Sequence, residues 1–183
     1  MRHVSSLLAV AVAIATSCLA TNAHAVKDLK RFGLQAGFAG VAGSEGSFSG
    51  YGGALSFEYG LSDAWSLASN VTATSNQIAS KGGRSLVLSQ AVGFQYALDV
   101  IQVTPYLGLY GAVYELQGGG LDKRQVKAGG QFAIGVDYLY ERAWTFGIEF
   151  RGHILPADFA KAFDNPTPFY ITTMLKAEYT WGW

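Results

Sequence analysis

Cysteine is almost missing from this chain. Its 183 residues hold one, Cys18, and that one lies in an N-terminal stretch that reads as a leader. Residues 1–25 have a short basic start at Arg2 and His3, an apolar run from Val4 to Ala15, and small residues leading to Ala23-His24-Ala25. That order is the pattern of a secretory signal, so cleavage near Ala25 is expected, leaving residues 26–183 as one mature domain. The apolar run is too short for a membrane-spanning helix, which needs about 20 residues. A rival processing site is Cys18 itself. It follows Ala15-Thr16-Ser17, faintly like a lipoprotein cleavage box, but the usual leucine three residues earlier is absent. With no cysteine beyond residue 25, the exported chain has neither disulfides nor thiolate metal sites.

Histidine is nearly as scarce, with only His153 beyond the leader. Charge is sparse at 14%, and its 13 basic and 13 acidic residues leave no basic excess of the kind that draws nucleic acid. A sustained helical period is lacking as well. Gly118-Gly119-Gly120 has no Gly-Lys-Ser/Thr ending and is not a phosphate loop. Asp122, Asp158 and Asp164 are scattered, without calcium-loop spacing. No metal and no cofactor are expected.

What is present is glycine, 23 residues of it, and aromatics at 14%, all beyond the leader. The last stretch shows how they are used. Counting back from Trp183, alternate positions read Trp181, Tyr179, Ala177, Leu175, Thr173 and Ile171, while between them lie Gly182, Thr180, Glu178, Lys176, Met174 and Thr172. Successive strand side chains point to opposite faces, so this is one strand with an apolar side and a polar side. Lipid outside and a polar lumen inside impose that alternation.

Similar segments recur at roughly 31–41, 51–61, 64–74, 85–98, 101–114, 126–138, 144–155 and 169–183, which makes eight strands. Each is long enough for a tilted strand to cross the hydrocarbon layer, a matter of about 9 to 11 residues. Connections after strands two, four and six are short, at 61–63, 98–100 and 140–142. The others, at 42–50, 75–84, 115–125 and 156–168, are long and rich in turn-forming residues. Such segregation predicts an all-β, eight-stranded antiparallel up-and-down transmembrane barrel with short periplasmic turns and long outer loops. Trp65, Trp144, Trp181 and Trp183 all fall at the short-turn level, as half of an aromatic girdle.

Parity then sorts the side chains. Phe32, Leu34, Leu55, Phe57, Leu67, Phe94, Leu107, Ile134 and Ile148 are among those expected to face lipid. Gln90 and Ser69 would face lipid too, and Tyr106, Tyr110 and Tyr114 would all face the lumen as a possible lining. A bulge or slipped register in strand four or five is expected to repair this. The inward charges are Glu58, Lys127, Asp137, Glu149, Arg151, Lys176 and Glu178. Because isolated buried ions are costly, they are expected to pair. Counting up from Trp144 and Trp183 puts Glu149 and Arg151 at the depth of Lys176 and Glu178, as one salt-bridge cluster. An eight-stranded lumen is just wide enough for its own side chains to fill, so a plugged barrel is expected, with a narrow gated path as the alternative.

The leader, the eight segments, the turn Tyr59-Gly60-Leu61-Ser62-Asp63-Ala64-Trp65, the start Thr104-Pro105-Tyr106-Leu107-Gly108 and the terminal aromatic together resemble the small eight-stranded outer-membrane barrels of the OmpA transmembrane domain, OmpX and OmpW group. The resemblance implies residence in the outer membrane of a Gram-negative-type envelope, among outer-membrane lipids and lipopolysaccharide. It also implies handling by the barrel-assembly machinery, with Tyr179, Trp181 and Trp183 as the C-terminal signal, although the family usually ends on phenylalanine. Unlike full-length OmpA relatives, no peptidoglycan-binding domain is expected after the barrel. A structural or surface-interaction role through the long loops is expected; Lys81, Arg84, Lys123 and Arg124 are expected as solvated loop tips, with contact to anionic headgroup sugars as the alternative. The alternative is an OmpW-like transporter of small or hydrophobic solutes. Lipid-modifying enzymes exist on this architecture, but His153 is the sole candidate base and no serine lies two residues away on its face, so no enzyme activity is expected. No loop partner is identified.

Overall fold

A computed structural model describes residues 27–41, 48–78, 83–98, 102–118, 124–154 and 169–182. Eight strands run in chain order: β1 (Lys30–Val41), β2 (Phe48–Gly60), β3 (Trp65–Ile78), β4 (Gly83–Ala97), β5 (Val103–Gly118), β6 (Gln125–Glu141), β7 (Trp144–Ile154) and β8 (Phe169–Trp181). Each pairs antiparallel with the next, and β8 returns to β1, so the sheet closes on itself. Closure removes every free edge and satisfies the backbone without water, as a membrane requires. The leader, Cys18, Lys81, Lys123, Trp183 and most of the long connections lie outside the described residues.

Three connections are short in sequence. Between β2 and β3, the Leu61 and Ser62 amides donate to the Trp65 carbonyl at 2.8 and 3.1 Å, and the Trp65 amide donates to Ser62 Oγ at 3.1 Å. Residues 98–102 join β4 to β5, and Arg142-Ala143 join β6 to β7. All three sit at one end, the short-turn end. The opposite end differs from the sequence expectation in extent. β3 continues to Ile78 and β4 starts at Gly83, with Ile78 facing Gly83, so the expected loop at 75–84 is mostly strand. β5 likewise runs to Gly118, carrying Glu115 and Gln117 on the sheet. Polar residues here continue the ladder past the apolar band, where alternation of hydrophobicity no longer marks a strand.

The expected bulge in strand four or five does not occur. Pairing from β3 through β5 is unbroken, and the one register shift among the described pairings falls between β6 and β7 at Leu139/Glu141. Gln90 does point outward, and Tyr106, Tyr110 and Tyr114 do point inward, with 1%, 5% and 0% of their surface exposed. No slip is needed because the three hydroxyls find lumen partners and the rings cover glycines. A Cβ on Gly135, opposite Tyr106, would clash with the hydroxyl end of the Tyr106 ring, and one on Gly108 would meet the Tyr110 ring.

Outside, the wall is apolar. Phe38, Leu109, Leu175 and Leu34 are exposed by 60% or more, although each is a strand residue. In water a surface of this kind would aggregate, and in a bilayer it is the required exterior.

Candidate functional site

Among the described residues, the groups with chemistry converge in the lumen. Its short-turn half is ionic. Arg31 Nη1 and Glu58 Oε2 lie 3.7 Å apart near the mouth, and Lys176 Nζ meets Asp137 Oδ2 at 2.9 Å and Glu178 Oε1 at 3.2 Å. Further in, Arg151 pairs closely with Glu149 and reaches Thr72 Oγ1 at 3.4 Å. Tyr106 joins the two groups, since its hydroxyl donates to Glu149 Oε2 at 2.9 Å while Lys176 Nζ lies 4.2 Å from its ring centroid. Arg151 in turn lies over the Tyr110 ring at 5.7 Å, and the Tyr110 hydroxyl donates to Gln95 Oε1 at 3.1 Å. Cations held over aromatic faces away from water gain most from that contact.

The expected single cluster is therefore two. Glu149 faces Met174 and Arg151 faces Thr172, whereas Lys176 faces Gly147 and Glu178 faces Thr145. Trp144 pairs with Tyr179, not with Trp183, so a count from the two ends misplaces the strands by four residues. Lys127 belongs to neither group. It stands on β6 opposite Tyr114, half-buried, toward the other end of the strand from Asp137. Arg31 is the member missed from sequence, although its parity with outward Phe32 and Leu34 marks it as inward.

Apart from Lys127, the other half of the lumen is neutral and aromatic among the described residues. Tyr114 donates to the Gly130 carbonyl at 3.0 Å and lies 3.1 Å from His153 Nδ1, while His153 Nε2 lies 3.1 Å from Thr172 Oγ1. A phenol has one proton, so His153 donates from Nδ1 to the Tyr114 oxygen and accepts at Nε2 from Thr172. The Tyr170 ring packs on His153 with centroids 4.8 Å apart, and its hydroxyl meets Thr74 Oγ1 at 2.5 Å. Both ring nitrogens of His153 are thus engaged by Tyr114 and Thr172, and neither meets a serine. Among the described residues, no three His, Cys, Asp or Glu side chains are placed to hold a metal ion.

Outside, the short-turn rim gathers its aromatics. Trp65 packs on Tyr96 at 5.0 Å between ring centroids, Trp144 on Tyr179 at 5.3 Å, and Trp181 on Tyr179 at 6.2 Å. Tyr140, not picked out as a girdle residue from sequence, stands at the same rim and packs on Phe146 at 6.0 Å.

A family model described as outer membrane protein beta-barrel domain matches residues 9–176. Solved structures share the fold at low identity. Ail, the attachment invasion locus protein of Yersinia pestis, in complex with the heparin analogue sucrose octasulfate, is 12% identical with a TM-score of 0.62, over 85% of this chain and 100% of that one. Neisserial surface protein A is 19% identical at a TM-score of 0.60, over 82% and 95%. OprG from Pseudomonas aeruginosa is 14% identical at 0.57, over 88% and 99%. No curated protein sequence matches the chain.

Proposed function

The chain belongs to the outer-membrane β-barrel family, and from that premise we propose a non-enzymatic integral barrel with a side-chain-filled lumen that acts through its outer face and connections. The family places the protein in the outer membrane, among its lipids and lipopolysaccharide. One observation carries the filled-lumen reading: side chains from opposite walls meet. Arg151 on β7 reaches Thr72 on β3, Lys176 on β8 covers Tyr106 on β5, and Tyr170 on β8 bonds Thr74 on β3. β3 and β7 lie diametrically across the barrel, so such contacts cross the lumen at their depth, which supports the filled reading. Purified protein in a planar bilayer should show no steady conductance. Reproducible single-channel steps would overturn the filled-lumen reading.

Narrow transport has one observation in its favour. Among the described residues, Gln35 Oε1, Ser56 Oγ and Glu178 Oε2 are buried in the short-turn half without a hydrogen-bond partner. Unused acceptors of this kind would suit a small polar solute or a hydrated path. Solute uptake lost on deleting the gene, restored by the intact chain but not by Tyr110→Trp, would favour that reading.

The leader with cleavage near Ala25, and recognition of Tyr179, Trp181 and Trp183 by the assembly machinery, belong to the same proposal. A mature N-terminus read at Val26 would support the first, and an uncleaved chain would overturn it.

A further inference from the structure

Within its apolar band the outer wall carries small hydroxyls at Ser69 and Thr173 and, among the described residues, one amide. Gln90 on β4 points outward between Val92 and Leu88, with Val71 and Val113 opposite it on the neighbouring strands. It lies six residues from Tyr96, whose ring packs on Trp65 at the short-turn rim. At about 3.3 Å per residue and about 40° of tilt, that is roughly 15 Å above the rim, inside an apolar band about 25 Å tall. Its amide has no protein partner among the described residues. Hydrocarbon offers none either, and an unpaired amide in lipid is costly.

Beside Gln90 the wall is hollow. Gly111 and Gly130 stand side by side on β5 and β6, and a Cβ on Gly111 would meet nothing within 4 Å. Phe132, the nearest large ring on β6, folds away over Gly152. Together with Ser69, Val71, Val92 and Val113, Gly111 lines a groove of about 380 Å³. The wall formed by β7, β8, β1 and β2 presents Ile148, Phe150, Leu175, Leu34 and Leu55 and carries no outward amide in its apolar band.

We infer that the β3–β6 wall is a self-association surface that takes a second copy of this chain. In a membrane, two copies inserted the same way are related by an axis along the bilayer normal, which keeps every residue at its own depth. Gln90 therefore meets Gln90 of the partner. An amide carries both donors and an acceptor, so a two-fold pair closes two reciprocal hydrogen bonds. Small residues at Ser69, Gly111 and Gly130 let the walls approach closely enough for the amides to touch, as small residues do between packed helices in membranes. A lipid tail would fill the hollow but would leave the amide unpaired, which is why a second copy is the better occupant. The inference rests on the membrane-spanning reading, and heat-modifiable gel mobility of every variant tests that reading separately.

The test uses the full chain with Cys18→Ser in native outer membranes. Val113→Cys beside Gln90 should give a disulfide-trapped dimer under mild oxidation, and Leu34→Cys on the opposite wall should not. In vesicles of increasing lipid-to-protein ratio, energy transfer between labelled copies should report a dimer. Gln90→Leu and Gly111→Leu should each lower its fraction at least fivefold while the gel shift is retained. Equal trapping at both walls, transfer that neither substitution changes, or monomers at every dilution would overturn the proposal. A monomer that retains a co-purified lipid, lost on Gly111→Leu, would overturn it in favour of a lipid site.

Discussion

Lys176 and Asp137 stand on strands that do not touch, yet their charged atoms meet at 2.9 Å, because the strand between them presents Gly147 at the crossing. Gly147 faces Asp137 on β6 and Lys176 on β8, and a Cβ there would fall on Asp137 Oδ1 and come within 3.0 Å of Lys176 Cε. The ion pair is thus made by an absent side chain as much as by the two present.

Gly147→Ala should part this pair. Forcing atoms into a filled site costs about 1–3 kcal/mol, and here the neighbours that must move are themselves paired. Gly111→Ala, whose Cβ enters open space, should stay within about 0.5 kcal/mol of the parent. Urea unfolding in lipid vesicles, followed by tryptophan fluorescence, checks both. Equal costs at the two positions would mean that the crossing is not tightly packed.

Lys176→Met should be more damaging. It leaves Asp137 and Glu178 facing one another in the lumen without their shared cation, and breaking a buried pair costs about 3–5 kcal/mol. Adding Asp137→Asn and Glu178→Gln to Lys176→Met removes the stranded charges and should recover most of the loss. The melting temperature of the compact, unboiled gel form reads both steps. A triple variant no better than the single one would show that the ammonium over the Tyr106 ring matters more than its pairing with the two carboxylates.

A lumen closed by rings and ions should open when those groups are trimmed. Tyr106→Ala, Tyr110→Ala and Arg151→Ala together remove the links from Lys176 to Glu149 and from Arg151 across to β3. In planar bilayers this variant should show steady conductance, and the parent none. If neither conducts while both show the heat-dependent gel shift, the aromatic layer of Tyr114, His153 and Tyr170 is the tighter closure.

Parity was the legible part of this fold. Strand period two placed Glu58, Asp137, Glu149, Arg151, Lys176 and Glu178 inward with no knowledge of neighbours, because that period is a property of a single strand. Segregation of short and long connections gave the strand number and the common rim. Which inward groups meet was not legible, because it depends on how far each tilted strand is displaced along its neighbour when the barrel closes. Trp144 lies against Tyr179 and not Trp183, and that offset sends Lys176 to Asp137 in place of Glu149. Gly147 reads in sequence as an ordinary strand glycine, and only the register shows that it stands between two charges. The strands also outrun their apolar alternation beyond Thr74 and before Ser85, where polar residues carry no phase signal.

The C-terminal aromatics have two separable roles. In the folded barrel, Tyr179 packs on Trp144 and Trp181 packs on Phe57, with centroids 5.3 and 6.3 Å apart, so both contribute to the girdle. If the same residues also serve as the recognition signal for assembly, losing them should harm insertion in cells more than stability in a test tube. Trp144→Ala is the control, since it removes the Tyr179 ring contact while leaving β8 unaltered. Aromatic pairs are worth about 0.5–1.5 kcal/mol beyond the area they bury, so Trp144→Ala and the Tyr179→Ala/Trp181→Ala pair should both lower unfolding stability modestly. The double variant alone should also reduce the amount of heat-modifiable protein in outer-membrane fractions several-fold. Equal losses in cells for Trp144→Ala and the double variant would reduce the role of these aromatics to girdle packing.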